Sequence, residues 1–269
     1  MLSLRFNYLL AALLLVTGLL SGQRTSPNPY HFSLKRDLTY VGAGALLTAA
    51  GAYQQSRVPE VSLSDLRLTD YDRVNMLDRS WGRYTPRGQA RKWSDRLLNY
   101  RAAAPALLVL GKHTRRDLHK VALLYVETMT LAGGLTSLTK TTFLRTRPYV
   151  FSPAWDENKP LESGDRASMI SGHTSMSAAG AFFFARVFSD YYPDSKLKPY
   201  VWGVAATLPA LTGYLRIRAA KHFPSDVVAG YLVGASIGYL VPTLHKRQIL
   251  PRGMALSGGP GGVLLGYTF

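Results

Sequence analysis

The sequence predicts an all-α protein, and three observations carry that expectation. Five long segments between residues 96 and 250 place apolar residues at helical spacing. Strand-like alternation is absent from the same stretch. The 269 residues suit a single domain with a core of ordinary size, so these helices can bury one another.

Taken from the N-terminus, Arg5 precedes an apolar run from Leu9 to Leu20, followed by the small and polar Ser21, Gly22 and Gln23. The run is shorter than the roughly 20 residues of a spanning helix, so residues 1–22 read as a secretory signal, with an uncleaved anchor as the alternative. After Pro27 and Pro29 comes a Gly/Ala-rich stretch, Leu38 to Tyr53. The polar, arginine-rich region from Gln54 to Asp95 contains Pro59 and Pro86 and reads as loops and short helices. Residues 23–95 are thus expected to form an extension packed on the bundle.

The helical domain, residues 96–250, is expected to contain Arg96 to Lys112 with a kink at Pro105, Asp117 to about Leu144, Gly172 to Tyr191, Tyr200 to about Arg216, and Pro224 to about His245. Residues 251–269 hold two short strand-like pieces around Gly258-Gly259-Pro260-Gly261-Gly262, a pattern for a small hairpin.

Composition narrows the chemistry. No cysteine is present, which excludes disulfides, thiolate metal sites and a cysteine nucleophile. Lys and Arg outnumber Asp and Glu by 32 to 16, and a net charge of +16 attracts nucleic acid, anionic lipid surfaces or phosphorylated small molecules. An exported chain does not meet nucleic acid, so the charge is assigned to a phosphate ligand or an anionic membrane surface. The uninterrupted apolar lengths, such as Val201 to Leu215, fall at or below spanning length. The basic stretch Lys112 to Lys120 would mark a cytoplasmic loop and put Lys140 outside, but a cleaved signal followed by a spanning Leu38 to Tyr53 gives the opposite sidedness. A periplasmic bundle resting on a membrane resolves this conflict, and a multi-pass protein is the alternative.

Three separated segments carry candidate chemistry. In Lys140-Thr-Thr-Phe-Leu-Arg-Thr-Arg147-Pro148, Lys140 lies late on a helix and Arg147 must leave it, because a residue before proline is pushed to extended geometry. Alone, this is equally a basic helix end favoured by the macrodipole. In Ser168-Met-Ile-Ser171-Gly172-His173-Thr174-Ser175, Ser171 suits an N-cap. The unpaired N–H groups of the following first turn form an anion site, Gly172 permits close approach, and His173 faces the anion. In Arg216-Ile-Arg-Ala-Ala-Lys-His222-Phe-Pro224-Ser-Asp226, Pro224 suits the first helical position. Asp226 on that first turn can reach back to His222 and fix its tautomer.

In this order, Lys-x6-Arg-Pro, Ser-Gly-His and Arg-x5-His-x3-Asp resemble the three-part signature of the type-2 phosphatidic acid phosphatase and vanadium haloperoxidase superfamily. The resemblance runs from Asp117 to about His245. Two positions depart from it, Ile170 where proline is usual and Leu215 where serine is usual. Both put loop geometry and substrate fit in question rather than the charged groups.

The resemblance implies a helical bundle in which His222 attacks phosphorus, Asp226 orients it and His173 protonates the leaving oxygen. It also implies that Lys140, Arg147 and Arg216, with the amides of Ser171 and Gly172, hold the phosphate oxygens. No metal or other cofactor is expected, since His31, His113, His119 and His245 are scattered along the chain. The expected partner is a phosphorylated lipid, such as phosphatidic acid or an isoprenoid diphosphate. The alternatives are a broad-specificity soluble acid phosphatase acting on small phosphate esters and an inactive relative that binds anionic lipid.

Overall fold

The computed structural model describes residues 28–60, 74–82, 88–153, 155–156, 160–246, 254–259 and 262–267. The segment 1–22, read above as signal or anchor, lies outside them. Eight α-helices appear among the described residues: α1 (Leu34–Gln55), α2 (Met76–Gly82), α3 (Gly88–Leu107), α4 (Lys112–Arg116), α5 (Leu118–Phe143), α6 (Gly172–Tyr191), α7 (Lys198–Arg218) and α8 (Pro224–Leu244). Two strands, β1 (Met254–Gly259) and β2 (Gly262–Tyr267), pair antiparallel from Met254↔Tyr267 to Gly259↔Gly262. The chain is therefore the expected helical bundle with a short hairpin at its C-terminal end.

The six long helices run alternately up and down. At one end Thr141 Oγ1 donates to Gln54 Oε1 at 2.8 Å, joining the C-terminal turns of α5 and α1. At the other end Tyr30 bridges to Lys246, Tyr191 OH donates to Asp117 Oδ2 at 3.2 Å, and Trp202 Nε1 donates to Ser189 Oγ at 3.0 Å. The first end gathers all three chemical motifs. The second is closed by an aromatic and aliphatic cluster that includes Tyr30, Leu108, Val121, Leu124, Phe183, Val187, Phe188, Tyr191 and Tyr192.

Helix α6 is the bundle's axis, buried on nearly every face through Ala178, Ala179, Phe183, Ala185, Val187 and Tyr191. Helix α8 approaches it along a stripe of glycines. A Cβ at Gly230 would lie 2.6 Å from Ser171 O, one at Gly234 2.0 Å from Ser175 O, and one at Gly238 2.3 Å from Ala179 O. These residues are four apart and share one face, so any side chain there would push the helices apart. The contact also sets the chemical end of the bundle, because Ser171 N–H donates to Asp226 O at 3.0 Å across it.

Two boundaries differ from expectation. Helix α3 starts at Gly88 rather than Arg96, so Arg91, Ser94 and Asp95 belong to the bundle. It also runs past Pro105 to Leu107 and then tightens into a 3-10 turn, Leu108–Leu110. Helix α1 is longer than the Leu38 to Tyr53 stretch and lies along α5, with Gly44 against the Thr130 backbone and Gly51 against Ser137. Apolar side chains on the outer faces stay exposed: Leu34, Leu38 and Leu46 on α1, Val126 on α5, Val204 and Leu211 on α7, and Val228, Leu232 and Leu240 on α8. Among the described residues, two stretches, Leu118–Phe151 and Pro224–Leu244, are long and apolar enough to cross a membrane.

Candidate active site

The three motifs meet at the end formed by the C-termini of α5 and α7 and the N-termini of α6 and α8. Helix α5 stops after Phe143 because Leu144 adopts a left-handed conformation, φ 43°. The chain then runs extended through Arg147 (φ −76°, ψ 148°) into Pro148, as the residue before proline requires. Lys140 Nζ, on the last turn of α5, donates to Ala167 O at 3.1 Å. The main chain of Arg147 is fixed by its N–H to Asp165 O at 2.8 Å, while its buried Nε has no protein hydrogen-bond partner.

His222 lies between α7 and α8 and is almost wholly buried. Its Nδ1 is 2.7 Å from Ser168 O. A carbonyl only accepts, so Nδ1 carries the proton and Nε2 keeps a free lone pair. Burial, reinforced by the Lys140, Arg147 and Arg216 cations, holds the His222 pKa well below the usual histidine range. The ring is accordingly neutral at pH 7, the state a nitrogen nucleophile requires. Those cations gather at the imidazole from two helix ends and a loop.

Asp226 was expected to bond His222 directly. Its Oδ2 instead stands 3.9 Å from Nδ1 and accepts Ser168 Oγ at 2.6 Å and Phe223 N–H at 2.9 Å. Asp226 therefore grips the two loops whose backbones hold the imidazole, and the tautomer is set by the Ser168 carbonyl. The other carboxylate oxygen accepts Arg145 Nη1 at 2.6 Å. Arg145 also bonds Asp78 Oδ2 at 2.8 Å and lies over the Phe223 ring. Burial opposes ionisation of Asp78, but hydrogen bonds from Arg145 and Ser225 outweigh it and keep the carboxyl below its ordinary range. Arg145 is thus engaged by two carboxylates.

The helix-end anion site is modified in one respect. The N–H of Ser171 is taken by Asp226 O, and its Oγ bonds Thr174 Oγ1 at 2.9 Å. The first-turn amides from Gly172 onward are the helix-end donors. A Cβ on Gly172 would sit 3.6 Å from Lys140 Cε and 3.3 Å from Thr136, so glycine leaves the backbone accessible beside the Lys140 ammonium.

His173 is on this first turn, and its Nε2 lies 2.9 Å from Asp95 Oδ1. The same oxygen accepts Arg216 Nη1 at 3.1 Å, and Arg216 also reaches Ser94 Oγ at 3.3 Å. Asp95 thus links a candidate proton donor to a candidate phosphate-binding cation. No motif marks it, because it stands alone in an arginine-rich stretch 78 residues before His173. Burial, with the Arg216 cation, pulls the His173 pKa down to about 4, and the Asp95 carboxylate opposes that fall by favouring the protonated ring. Asp95→Asn is expected to move the basic limb of the kcat profile to lower pH by about one unit, since an acid catalyst loses its proton as pH rises. Stopped assays across pH measure this, and an unmoved limb would leave Asp95 with a packing role only.

The arrangement can bind a phosphate among buried cations, attack it with a neutral imidazole and supply a proton from a second histidine. Residues 121–250 match the family model of the PAP2 superfamily. The lipid A 4'-phosphatase of Porphyromonas gingivalis (strain ATCC 33277) is 28% identical over 136 residues, covering 50% of this chain and 54% of that protein. The chain therefore spans about half the length of this curated relative. A crystal structure described as the first transmembrane PAP2 type phosphatidylglycerolphosphate phosphatase, from Bacillus subtilis, aligns with a TM-score of 0.44 at 17% identity, over 76% of this chain and 94% of that chain.

Proposed function

Because residues 121–250 match the PAP2 superfamily model, we propose that the chain is a phosphatase that hydrolyses a phosphorylated lipid, a monoester or a diphosphate, without a catalytic metal. The observation that carries this reading is the buried neutral His222, its Nδ1 proton given to Ser168 O beneath Lys140, Arg147 and Arg216.

His222 Nε2 attacks phosphorus, forming an N–P bond as the ester P–O bond breaks. The leaving oxygen takes a proton from His173. Water then attacks the phosphohistidine, giving its proton to His173, and the N–P bond breaks to release phosphate and the neutral imidazole. Phosphoryl transfer depends mainly on positioning and on stabilising charge at the equatorial oxygens. The fixed cations Lys140, Arg147 and Arg216, with the first-turn amides of α6, meet both needs.

A lipid substrate is supported by the apolar side chains left exposed on α1, α5, α7 and α8. Such a belt suits hydrocarbon better than water and favours the multi-pass alternative over a bundle resting on the membrane. Burying each methylene of a lipid tail gains about 0.8 kcal/mol. A few contacted methylenes thus give at least about a tenfold preference. The test compares kcat/KM for phosphatidic acid, an isoprenoid diphosphate and a short-chain phosphate in mixed micelles. A preference for the long-chain substrates is expected. Equal efficiency would support a broad acid phosphatase instead.

The alternating helices put the C-terminal end of α8 opposite the site. In this reading the site faces outward and the basic 112–120 connection stays in the cytoplasm. A fluorescent protein that matures only in the cytoplasm, fused after Phe269, is therefore expected to light up in intact cells that hydrolyse externally supplied substrate. A dark, externally protease-sensitive fusion in cells with the same activity would favour the surface-bound bundle.

A further inference from the structure

At the end of the bundle away from His222, three residues far apart in sequence meet in the interior. Asp37 comes from the first turn of α1, Glu127 from α5, and His245 from the residue just after α8. His245 looked isolated in the sequence, with no ligand partners at a recognisable spacing. In the fold its Nε2 lies 3.2 Å from Asp37 Oδ1 and 3.1 Å from Glu127 Oε2. The potential ligand atoms all fall within 4.8 Å of one another.

The hydrogen bonds around this group orient it. His245 Nδ1 is 2.8 Å from Val241 O and must donate to it, so Nε2 is the nitrogen presented to the carboxylates. Asp37 Oδ2 accepts the Ser33 N–H at 3.1 Å, which directs Oδ1 toward His245, and Arg36 Nε supports the same Oδ1 at 3.2 Å. Glu127 is different. It is fully buried, and among the described residues its carboxylate has no donor besides His245 Nε2, which is 3.1 Å from Oε2 and is shared with Asp37 Oδ1. A buried carboxylate short of donors is costly unless a cation compensates it.

A proton on Nε2 would be one donor shared between two acceptors, at 3.1 and 3.2 Å, and would leave Glu127 Oε1 unserved. A metal ion serves all three groups at once. Donor separations of 3.1 and 3.2 Å are close to the edge of a coordination tetrahedron with bonds of about 2.0–2.1 Å. One imidazole nitrogen and two carboxylates also form a donor set suited to that ion class. The Val241 carbonyl on Nδ1 is the kind of outer contact that fixes a ligating histidine.

We propose that Asp37, Glu127 and His245 bind a divalent transition-metal ion of the zinc class, which ties the start of α1 to α5 and to the end of α8. The ion is structural. It lies at the opposite end of the bundle from the phosphate site and takes no part in phosphate release.

The test uses the full chain purified in detergent, without chelators or metal-affinity resin, and measures metal by elemental mass spectrometry. About one ion per chain is expected, with a thermal unfolding midpoint that rises on adding Zn²⁺. Cobalt loading should give the visible absorption of a four-coordinate site. Glu127→Gln keeps the side-chain volume and is expected to weaken metal binding at least about tenfold. A wild-type protein that is metal-free and whose unfolding midpoint is unmoved by Zn²⁺ would overturn the proposal and leave a proton closing the cluster. That reading needs only the wild-type chain, so it holds whether or not the variant folds.

Discussion

Replacement of His222 by alanine is expected to lower kcat by about 10⁴-fold or more on every phosphate ester, because the group that forms the covalent bond is gone. Substrate affinity should change far less, since Lys140, Arg147 and Arg216 supply the charge that holds the phosphate. The measurement is steady-state phosphate release by purified wild-type and variant protein, with KM read separately from kcat. The Ser168 carbonyl that orients His222 belongs to the backbone and survives the substitution. A loss below about tenfold would mean that attack comes from elsewhere, since removing a nucleophile costs far more than removing a positioning contact.

His173→Ala should produce the second largest effect, and one that depends on the substrate. General acid catalysis contributes typically about 10²–10⁴-fold, and the contribution matters most when the leaving oxygen is a poor one. A lipid alcohol is such a leaving group. On an alkyl phosphate the variant is expected to fall about 10³-fold. On a nitrophenyl phosphate, whose phenolate departs without a proton, phosphoenzyme formation should be nearly preserved. Water attack then loses its base, so release of phosphate from the phosphoenzyme becomes limiting. A burst of nitrophenol followed by a slow steady phase is the expected trace. An equal loss on both esters would assign His173 to binding rather than to proton transfer.

What could be read from the chain and what could not divide along sequence separation. Lys140 with Arg147, Ser171 with Gly172 and His173, and Arg216 with His222 and Asp226 lie within single helix ends. Local rules for prolines, caps and helix starts place those residues before any fold is known. The long helices were legible for the same reason, since apolar spacing at helical period survives in any context.

The supporting groups come from elsewhere. Ser168 O reaches His222 across 54 positions, and Asp78 reaches Ser225 across 147. Asp95 meets His173 only because α3 begins at Gly88 and packs beside α6 and α7, whereas its own surroundings read as an arginine-rich surface stretch. The direct Asp226–His222 bond was a reasonable expectation from spacing i and i+4. It gave way because the extended N-cap Phe223 turns its N–H toward the Asp226 carboxylate and the Ser168 hydroxyl occupies the same oxygen. Glycines at 230, 234 and 238 lie within the apolar α8 segment. Their meaning is a helix contact with α6, which periodicity alone does not reveal.

Trapping the phosphoenzyme tests the central claim most directly. His173→Ala protein mixed with a labelled phosphate ester bearing a good leaving group, quenched in base and digested, should yield one labelled peptide. Its label should be acid-labile, base-stable and on His222, and the His173→Ala/His222→Ala double variant should yield none. Label on any other residue, or phosphate release during turnover with no covalent adduct in the single variant, would contradict a mechanism through His222.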